Sequence, residues 1–221
     1  EYKINYCNFP EVVSKQPELP VDKDNELIVM SCYSHRLENY RMYEKRYGCL
    51  ARQGFSMTEL GCAVYVPMEA DHMTGTGTVG IPCAFREAMV ADPEGRPVKR
   101  GELGELCVRG HGILVGYYRK PEATAKAFFP GGWFRTGDLA RQDENGWFFY
   151  LGRMKDMVKR SGENVSATEV EAVLRGVDGI MEAAVLPVPD DLRGEEGKAY
   201  LLLAEGRSAK RSEEHTSELQ S

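Results

Sequence analysis

Trp133-Phe134-Arg135-Thr136-Gly137-Asp138, with Gly152-Arg153-Met154-Lys155-Asp156-Met157-Val158-Lys159-Arg160-Ser161-Gly162-Glu163-Asn164-Val165-Ser166 further along, decides how this chain is read. The two stretches put an acidic residue, Asp138, and a basic one, Arg153, on either side of a hydrophobic run, Trp147-Phe148-Phe149-Tyr150. Asp138 is expected in a Gly-Asp turn, where a carboxylate accepts two hydrogen bonds from a vicinal diol such as a ribose. If the aromatic run is a strand, its alternate residues face a core and a ligand. A lone Gly-Asp or Gly-Arg is ordinarily surface, but both motifs in this order and spacing outweigh that reading.

Upstream, Gln53-Gly54-Phe55-Ser56-Met57-Thr58-Glu59 joins an aromatic face, hydroxyls and a carboxylate. That set of groups can stack on a base, touch a phosphate and hold magnesium through oxygen. The same letters also fit a helix start, with Ser56 as cap and Glu59 three residues later.

Together the three stretches resemble the adenylate-forming superfamily: acyl-CoA synthetases, luciferases and the adenylation domains of peptide synthetases. The resemblance runs from about Glu44 to Glu205. It takes in Gly80-Ile81-Pro82, the run Gly101 to Gly110, and Gly116-Tyr117-Tyr118 followed by Pro121-Glu122-Ala123-Thr124.

Composition agrees. The 221 residues are 42% hydrophobic, enough to bury a core in one or two domains. A formal net charge of −6, with 28 Lys and Arg scattered in short clusters, argues against a broad grip on nucleic acid. No apolar run approaches about 18 residues, so neither a membrane span nor a secretory signal is expected. Six cysteines (Cys7, Cys32, Cys49, Cys62, Cys83 and Cys107) lie far apart in sequence without zinc spacing. They read as reduced, mostly buried thiols of a cytoplasmic protein.

Three regions follow. Residues 1–62 hold an apolar stretch, Leu27–Met30, and a helix-like run from Arg36 to Tyr47 in which Leu37, Tyr40 and Tyr43 recur at helical spacing. The resemblance makes this the tail of an N-terminal α/β subdomain. Residues 63–151 are short β-type segments (Phe85–Ala91, Leu103–Arg109, Trp147–Leu151) punctuated by turns such as Asp92-Pro93-Glu94-Gly95, as in a small distorted β-barrel. Residues 152–210 read as a partial α+β C-terminal lid. Ser166 to Glu169 form a capping box, Val170, Val173 and Leu174 an apolar helix stripe ended by Gly176, and strands follow at Ala183–Val188 and Ala199–Leu203. The expected fold is thus α/β plus a β-barrel subdomain and an α+β lid. Residues 211–221 resemble translated sequencing-adapter DNA and are set aside.

The resemblance implies an enzyme that activates a carboxylate with ATP, releases pyrophosphate and passes the acyl group to a thiol. Carried over by motif, Phe55 stacks on adenine, Thr58 bonds phosphate and Glu59 holds Mg2+. Asp138 takes the ribose hydroxyls, Arg153 reaches the same ribose and Tyr150 packs nearby. Lys155 is the hinge between half-reactions, and Gly162 admits the pantetheine arm of coenzyme A. Ser56 departs from the family's usual glycine, which bears on the turn and the acyl pocket. A phosphate loop is expected before Glu1 and a lid lysine after Leu203, so the 221 residues alone are expected to be inactive. Besides an acyl-CoA synthetase, with wording closest to the medium- and long-chain or carnitine-type ligases, two readings stay open. One is an inactive nucleotide-binding or interaction module; the other is an adenylation domain serving a carrier protein.

Overall fold

The computed structural model of the chain describes residues 4–6, 14–33, 39–161 and 163–208. The chain divides into two compact units, residues 1–155 and 156–221. Leu37 of the expected helix, Gly162 and the tail 211–221 lie outside the described residues.

The first unit opens with β1 (Ile4–Tyr6), β2 (Val29–Cys32), helix α1 (Asn39–Tyr47) and β3 (Leu50–Met57). β1, β2 and β3 pair in parallel, with α1 as the crossover between the last two. Parallel strands are covered on both faces and so lose the polar alternation of surface strands. All four residues of β2 are buried, as is β3 from Ala51 to Phe55. Tyr40, Tyr43 and Tyr47 put one stripe of α1 against Met30, Cys32 and Ala51. On another face Arg41 pairs with Glu44 at 2.7 Å.

From Gly54 onward the pairing turns antiparallel. β4 (Gly61–Tyr65), β5 (Thr78–Pro82), β6 (Arg86–Ala91), β7 (Leu103–Gly110), the short helix α2 (Pro121–Lys126), β8 (Phe128–Phe129), β9 (Trp133–Gln142) and β10 (Phe148–Arg153) follow. The sheet runs β1-β2-β3-β4-β5-β10-β9-β7-β6, with β8 on β9. Phe55, Val64, Val79, Val90, Leu106, Val108, Phe134 and Phe148 meet in one core. Asp92 makes the expected turn, its carboxylate accepting from the N–H groups of Glu94 and Arg96. Gly80 has φ +108, and a Cβ there would lie 2.0 Å from the Tyr65 carbonyl carbon. Only glycine lets β5 pass β4 that closely.

The second unit is α+β, a four-stranded sheet in the order β12-β11-β14-β13 with one helix. Its strands are β11 (Met157–Arg160), β12 (Glu163–Ser166), β13 (Ile180–Asp190) and β14 (Gly194–Leu203), and the helix is α3 (Ala167–Arg175). Ser166 Oγ caps α3 by accepting from the Glu169 N–H. Val170 and Leu174 pack on Val158, Ala167 and Val185. Val173, placed in the same stripe by periodicity, is instead 73% exposed. Its position falls at the solvent side of a helix whose buried stripe is narrow.

Candidate functional site

Gln53-Gly54-Phe55-Ser56-Met57 is strand rather than helix start: it is the C-terminal half of β3. Gln53 ends the parallel ladder with β2, paired to Cys32, and Gly54 begins the antiparallel one, paired to Tyr65. In open α/β sheets ligands gather beyond the carboxyl ends of such strands.

Asp138 differs from its expected setting. It lies within β9 rather than in a turn between elements. The ladder with β7 shifts between Glu105 and Cys107, so that Thr136, Gly137 and Asp138 bulge out opposite Leu106. Gly137 takes φ +71, the left-handed conformation a bulge asks of glycine. Three bonds hold the bulge. Thr136 Oγ1 donates to the Leu106 carbonyl at 2.8 Å and accepts from the Asp138 N–H at 3.1 Å. The Gly137 N–H donates to Glu105 Oε1 at 3.0 Å. Glu105 is itself buried and takes two bonds from Arg135, at 3.0 and 2.9 Å.

A second irregularity, between Tyr150 and Gly152 in β10, sets Arg153 directly opposite Asp138. Arg153 Nε then reaches Asp138 Oδ1 at 3.0 Å. The carboxylate is fully buried whereas the arginine side chain is 46% exposed, so the pair joins the interior to an open face. A buried carboxylate needs such a partner, since its desolvation alone costs several kcal/mol.

Asp138, Arg153, Tyr150, Phe55, Gln53 and Val79 line one cleft of about 160 Å³. Phe55 and Tyr150 approach with ring centroids 5.9 Å apart. Pockets for whole drug-sized ligands run to roughly 300–1,000 Å³, so this cleft encloses only part of a nucleotide. A larger open depression of about 510 Å³ near Leu27, Cys49 and Asp71 holds none of the expected site residues. Its carboxylates, Glu44 and Asp71, are already bonded by Arg41 and Arg52.

Thr58 and Glu59 lie apart from the cleft's lining, in the turn between β3 and β4. Thr58 is exposed. Glu59 accepts from the Tyr117 hydroxyl at 3.2 Å, and its carbonyl accepts from the Leu114 N–H. Burial, helped by the Glu59 charge, pushes the Tyr117 phenol above its ordinary value and keeps it a donor. Among the described residues no cluster of three or more His, Cys, Asp or Glu could hold a metal. Mg2+ needs none: it binds through one or two carboxylates plus substrate phosphates, and Glu59 fits that donor set. Lys155 is exposed in a one-turn 3-10 helix, Met154–Asp156. Ser56 is exposed as well.

Sequence reasoning missed two contributors. Gln53 is 7% exposed, and its buried Oε1 has no hydrogen-bond partner among the described residues, leaving an acceptor at the cleft wall. Buried polar atoms are otherwise nearly always satisfied, so this acceptor calls for a donor of the kind that water or a ligand supplies. Glu105 falls within the Gly101 to Gly110 run, where the letters alone assign it no role.

The fold is that of adenylate-forming enzymes. Residues 26–118 match the AMP-binding enzyme family, and residues 169–220 match the AMP-binding enzyme C-terminal domain. The chain belongs to this family. It is 35% identical over 204 residues to a crotonobetaine/carnitine–CoA ligase of Salmonella typhimurium, covering 90% of this chain and 39% of the relative. It is 42% identical over 154 residues to a feruloyl-CoA synthase of Streptomyces, covering 70% and 31%. ATP-bound MatB from Rhodopseudomonas palustris superposes with a TM-score of 0.80 at 29% identity, over 94% of this chain and 41% of that one. The o-succinylbenzoate CoA synthetase MenE of Bacillus subtilis shares the fold at a TM-score of 0.79 and 24% identity, over 93% and 42%. The chain thus spans about 39% of the length of the carnitine-type ligases it matches.

Proposed function

We propose that this chain carries the ribose-binding wall and the hinge of an AMP-forming acid–thiol ligase, an acyl-CoA synthetase. One observation carries the reading: Asp138 and Arg153, paired across the consecutive strands β9 and β10, meet in a cleft walled by Phe55 and Tyr150. A carboxylate suits a vicinal diol, and the aromatic rings suit a purine face.

In this reading a carboxylate oxygen of the acid attacks the α-phosphorus of ATP, and pyrophosphate leaves. The thiol of coenzyme A then attacks the acyl carbon and AMP departs. Adenylation is needed because a free carboxylate has oxide as its leaving group. Phe55 and Tyr150 hold the base, Asp138 and Arg153 the ribose, and Thr58 a phosphate oxygen. Mg2+, held by Glu59, would supply charge neutralisation at the phosphates. Lys155 serves as hinge, supported by the division of the chain between Lys155 and Asp156. Gly162, outside the described residues, keeps its proposed place beside the thiol arm. Coenzyme A is preferred over a carrier protein because the relatives' names are those of CoA ligases.

For the fold, we propose that residues 63–151 form the family's distorted barrel, since β4 to β10 enclose a single core. The divisions at 62 and 151 rest on the same resemblance; the one at 210 rests on the adapter-like tail, and the C-terminal family match runs across it to residue 220. No helix of the described residues is long and apolar enough to cross a membrane, and we assign the protein to the cytoplasm, where ATP and coenzyme A are available.

Titration of the chain with AMP and with 2′,3′-dideoxy-AMP tests the reading. A site that hydrogen-bonds hydroxyls rejects the analogue lacking them. The expected result is weaker binding of the dideoxy compound, by about tenfold or more, with the difference abolished by Asp138→Asn. Equal affinity for both in the parent chain would overturn the ribose assignment.

A further inference from the structure

We propose that Cys62 and Cys83 form a peroxide-oxidisable dithiol, a modification site on the strand that follows the Thr58–Glu59 turn. The two residues are far apart in sequence, but Cys62 lies in β4 and Cys83 directly follows the neighbouring β5, with Sγ atoms 3.6 Å apart. Regular pairing of β4 with β5 matches Val64 to Pro82 and Tyr65 to Ile81, and the Cys83 N–H donates to the Ala63 carbonyl. In that register Cys62 and Cys83 are one residue out of step and would point to opposite faces. A bulge intervenes: β3 pairs Phe55 with Val64 but Ser56 with Cys62, leaving Ala63 as the extra residue. Bulges re-aim side chains, and this one brings the Cys62 thiol to the Cys83 side.

The chemistry around the pair is asymmetric. Cys83 Sγ donates to Cys62 Sγ, whose own thiol donates to the Val64 carbonyl at 3.6 Å. The hydrogen bond shared with Cys62 lowers the Cys83 thiol to about 7, against burial and with help from the Arg86 cation. Arg86 donates through Nη2 to the Leu60 carbonyl at 2.9 Å, and its Nη1 is buried with no hydrogen-bond partner among the described residues. Cys62 and Cys83 are half-buried, within reach of a small oxidant, whereas Cys32, Cys49 and Cys107 are buried. Burial pushes the Cys107 thiol up to about 12.

The oxidant is hydrogen peroxide. The Cys83 thiolate attacks one peroxide oxygen, the O–O bond breaks and hydroxide leaves, giving a Cys83 sulfenic acid. Cys62 sulfur then attacks the Cys83 sulfur, the S–S bond forms, the S–O bond breaks and water departs with the thiol proton. Two thiols are oxidised and one peroxide is reduced to two waters. A disulfide needs the sulfurs at about 2.05 Å, so the link must close a gap that starts at 3.6 Å, beside a backbone hydrogen bond from the Cys83 N–H to the Ala63 carbonyl. The cross-link would tie β5 to the strand leading out of the turn that carries Thr58 and Glu59.

No Lys or Arg lies between Gln53 and Arg86, so one tryptic peptide, residues 53–86, contains both cysteines. The full chain, reduced and then treated with equimolar hydrogen peroxide, is digested and alkylated with iodoacetamide. The expected product is peptide 53–86, two hydrogens lighter and unalkylated, whose halves stay joined after a second cut before Asp71 until a dithiol is added. In Cys62→Ala the link disappears and oxidation stops at Cys83 as sulfenic or sulfinic acid. The same variant should slow iodoacetamide labelling of Cys83 at pH 7 by about tenfold, as the thiolate fraction falls from near half to a few per cent. The proposal is overturned if peptide 53–86 remains alkylated at both cysteines after peroxide. It is overturned equally if Cys83 is oxidised at the same rate and to the same product with and without Cys62.

Discussion

Replacing Glu105 tests whether the Gly137–Asp138 bulge is held from behind. Its carboxylate, 4% exposed, accepts the Gly137 N–H on Oε1 and both Arg135 bonds on Oε2. Glu105→Ala removes all three and leaves the Gly137 N–H without its acceptor, at a cost of about 1–3 kcal/mol. Arg135 is 36% exposed and can return to water, so its ion pair adds only about 0–1 kcal/mol. The lost packing of a buried side chain contributes roughly 1 kcal/mol more. The sum is about 2–5 kcal/mol. Glu105→Gln keeps one oxygen for Gly137 but turns an NH2 toward the guanidinium, and should cost about 1–2 kcal/mol. For a domain of this size each kcal/mol moves the midpoint by about 2–4 °C, so Glu105→Gln should melt ~2–8 °C lower and Glu105→Ala lower still. Trp133 and Trp147 are the chain's only two tryptophans, and both lie in the first unit. Their fluorescence therefore reports that unit alone. If both variants melt within about 1 °C of the parent, the bonds behind the bulge carry no stability and the argument fails.

Other outcomes follow from the same geometry. Gly80→Ala would drive a Cβ into the Tyr65 backbone at 2.0 Å and should destabilise the first unit by at least ~3 kcal/mol, read by tryptophan fluorescence in urea. Ser166→Ala should cost about 1 kcal/mol through loss of the α3 cap, visible as faster hydrogen exchange at the Glu169 amide. The Arg46 guanidinium, then the Leu19 N–H, hold the Asp22 carboxyl below its usual 3.8. A depressed carboxyl stabilises the fold fully above its unfolded value and loses that contribution as pH falls through its folded one. Asp22→Asn should accordingly flatten the decline of melting temperature below pH 3.8 while lowering it at neutral pH. In the parent chain, iodoacetamide labelling of Cys83 should be half-maximal near pH 7, with Cys107 unlabelled throughout.

Much of the fold was legible in the sequence because its signals are local. The turn at Asp92 to Gly95, the tyrosine stripe of α1, the cap at Ser166 and the antiparallel strands each depend on residues a few positions apart. Val173 shows where local periodicity overreaches. Spacing alone places it beside Leu174, but the width of the buried stripe depends on the sheet beneath, and the stripe stops short of it. The Gln53 to Glu59 stretch shows the converse. Its letters fit a helix start as well as a strand, and pairing with β2 and β4 decides for strand. Gln53 itself gave no local signal, because an unsatisfied acceptor exists only once the surroundings have closed over it.

The sequence by itself determined which chemical groups are present and in what order: a carboxylate at Asp138, a guanidinium at Arg153, an aromatic at Phe55 and thiols at Cys62 and Cys83. Only the tertiary structure decided which of them meet. A strand's side chains alternate between faces, so a slip of one residue reverses every partner. The irregularity between Tyr150 and Gly152 places Arg153 opposite Asp138, and the one at Ala63 turns Cys62 toward Cys83. Bulges arise from how two strands fit against the rest of the sheet, and that fit is written in no single stretch of the chain.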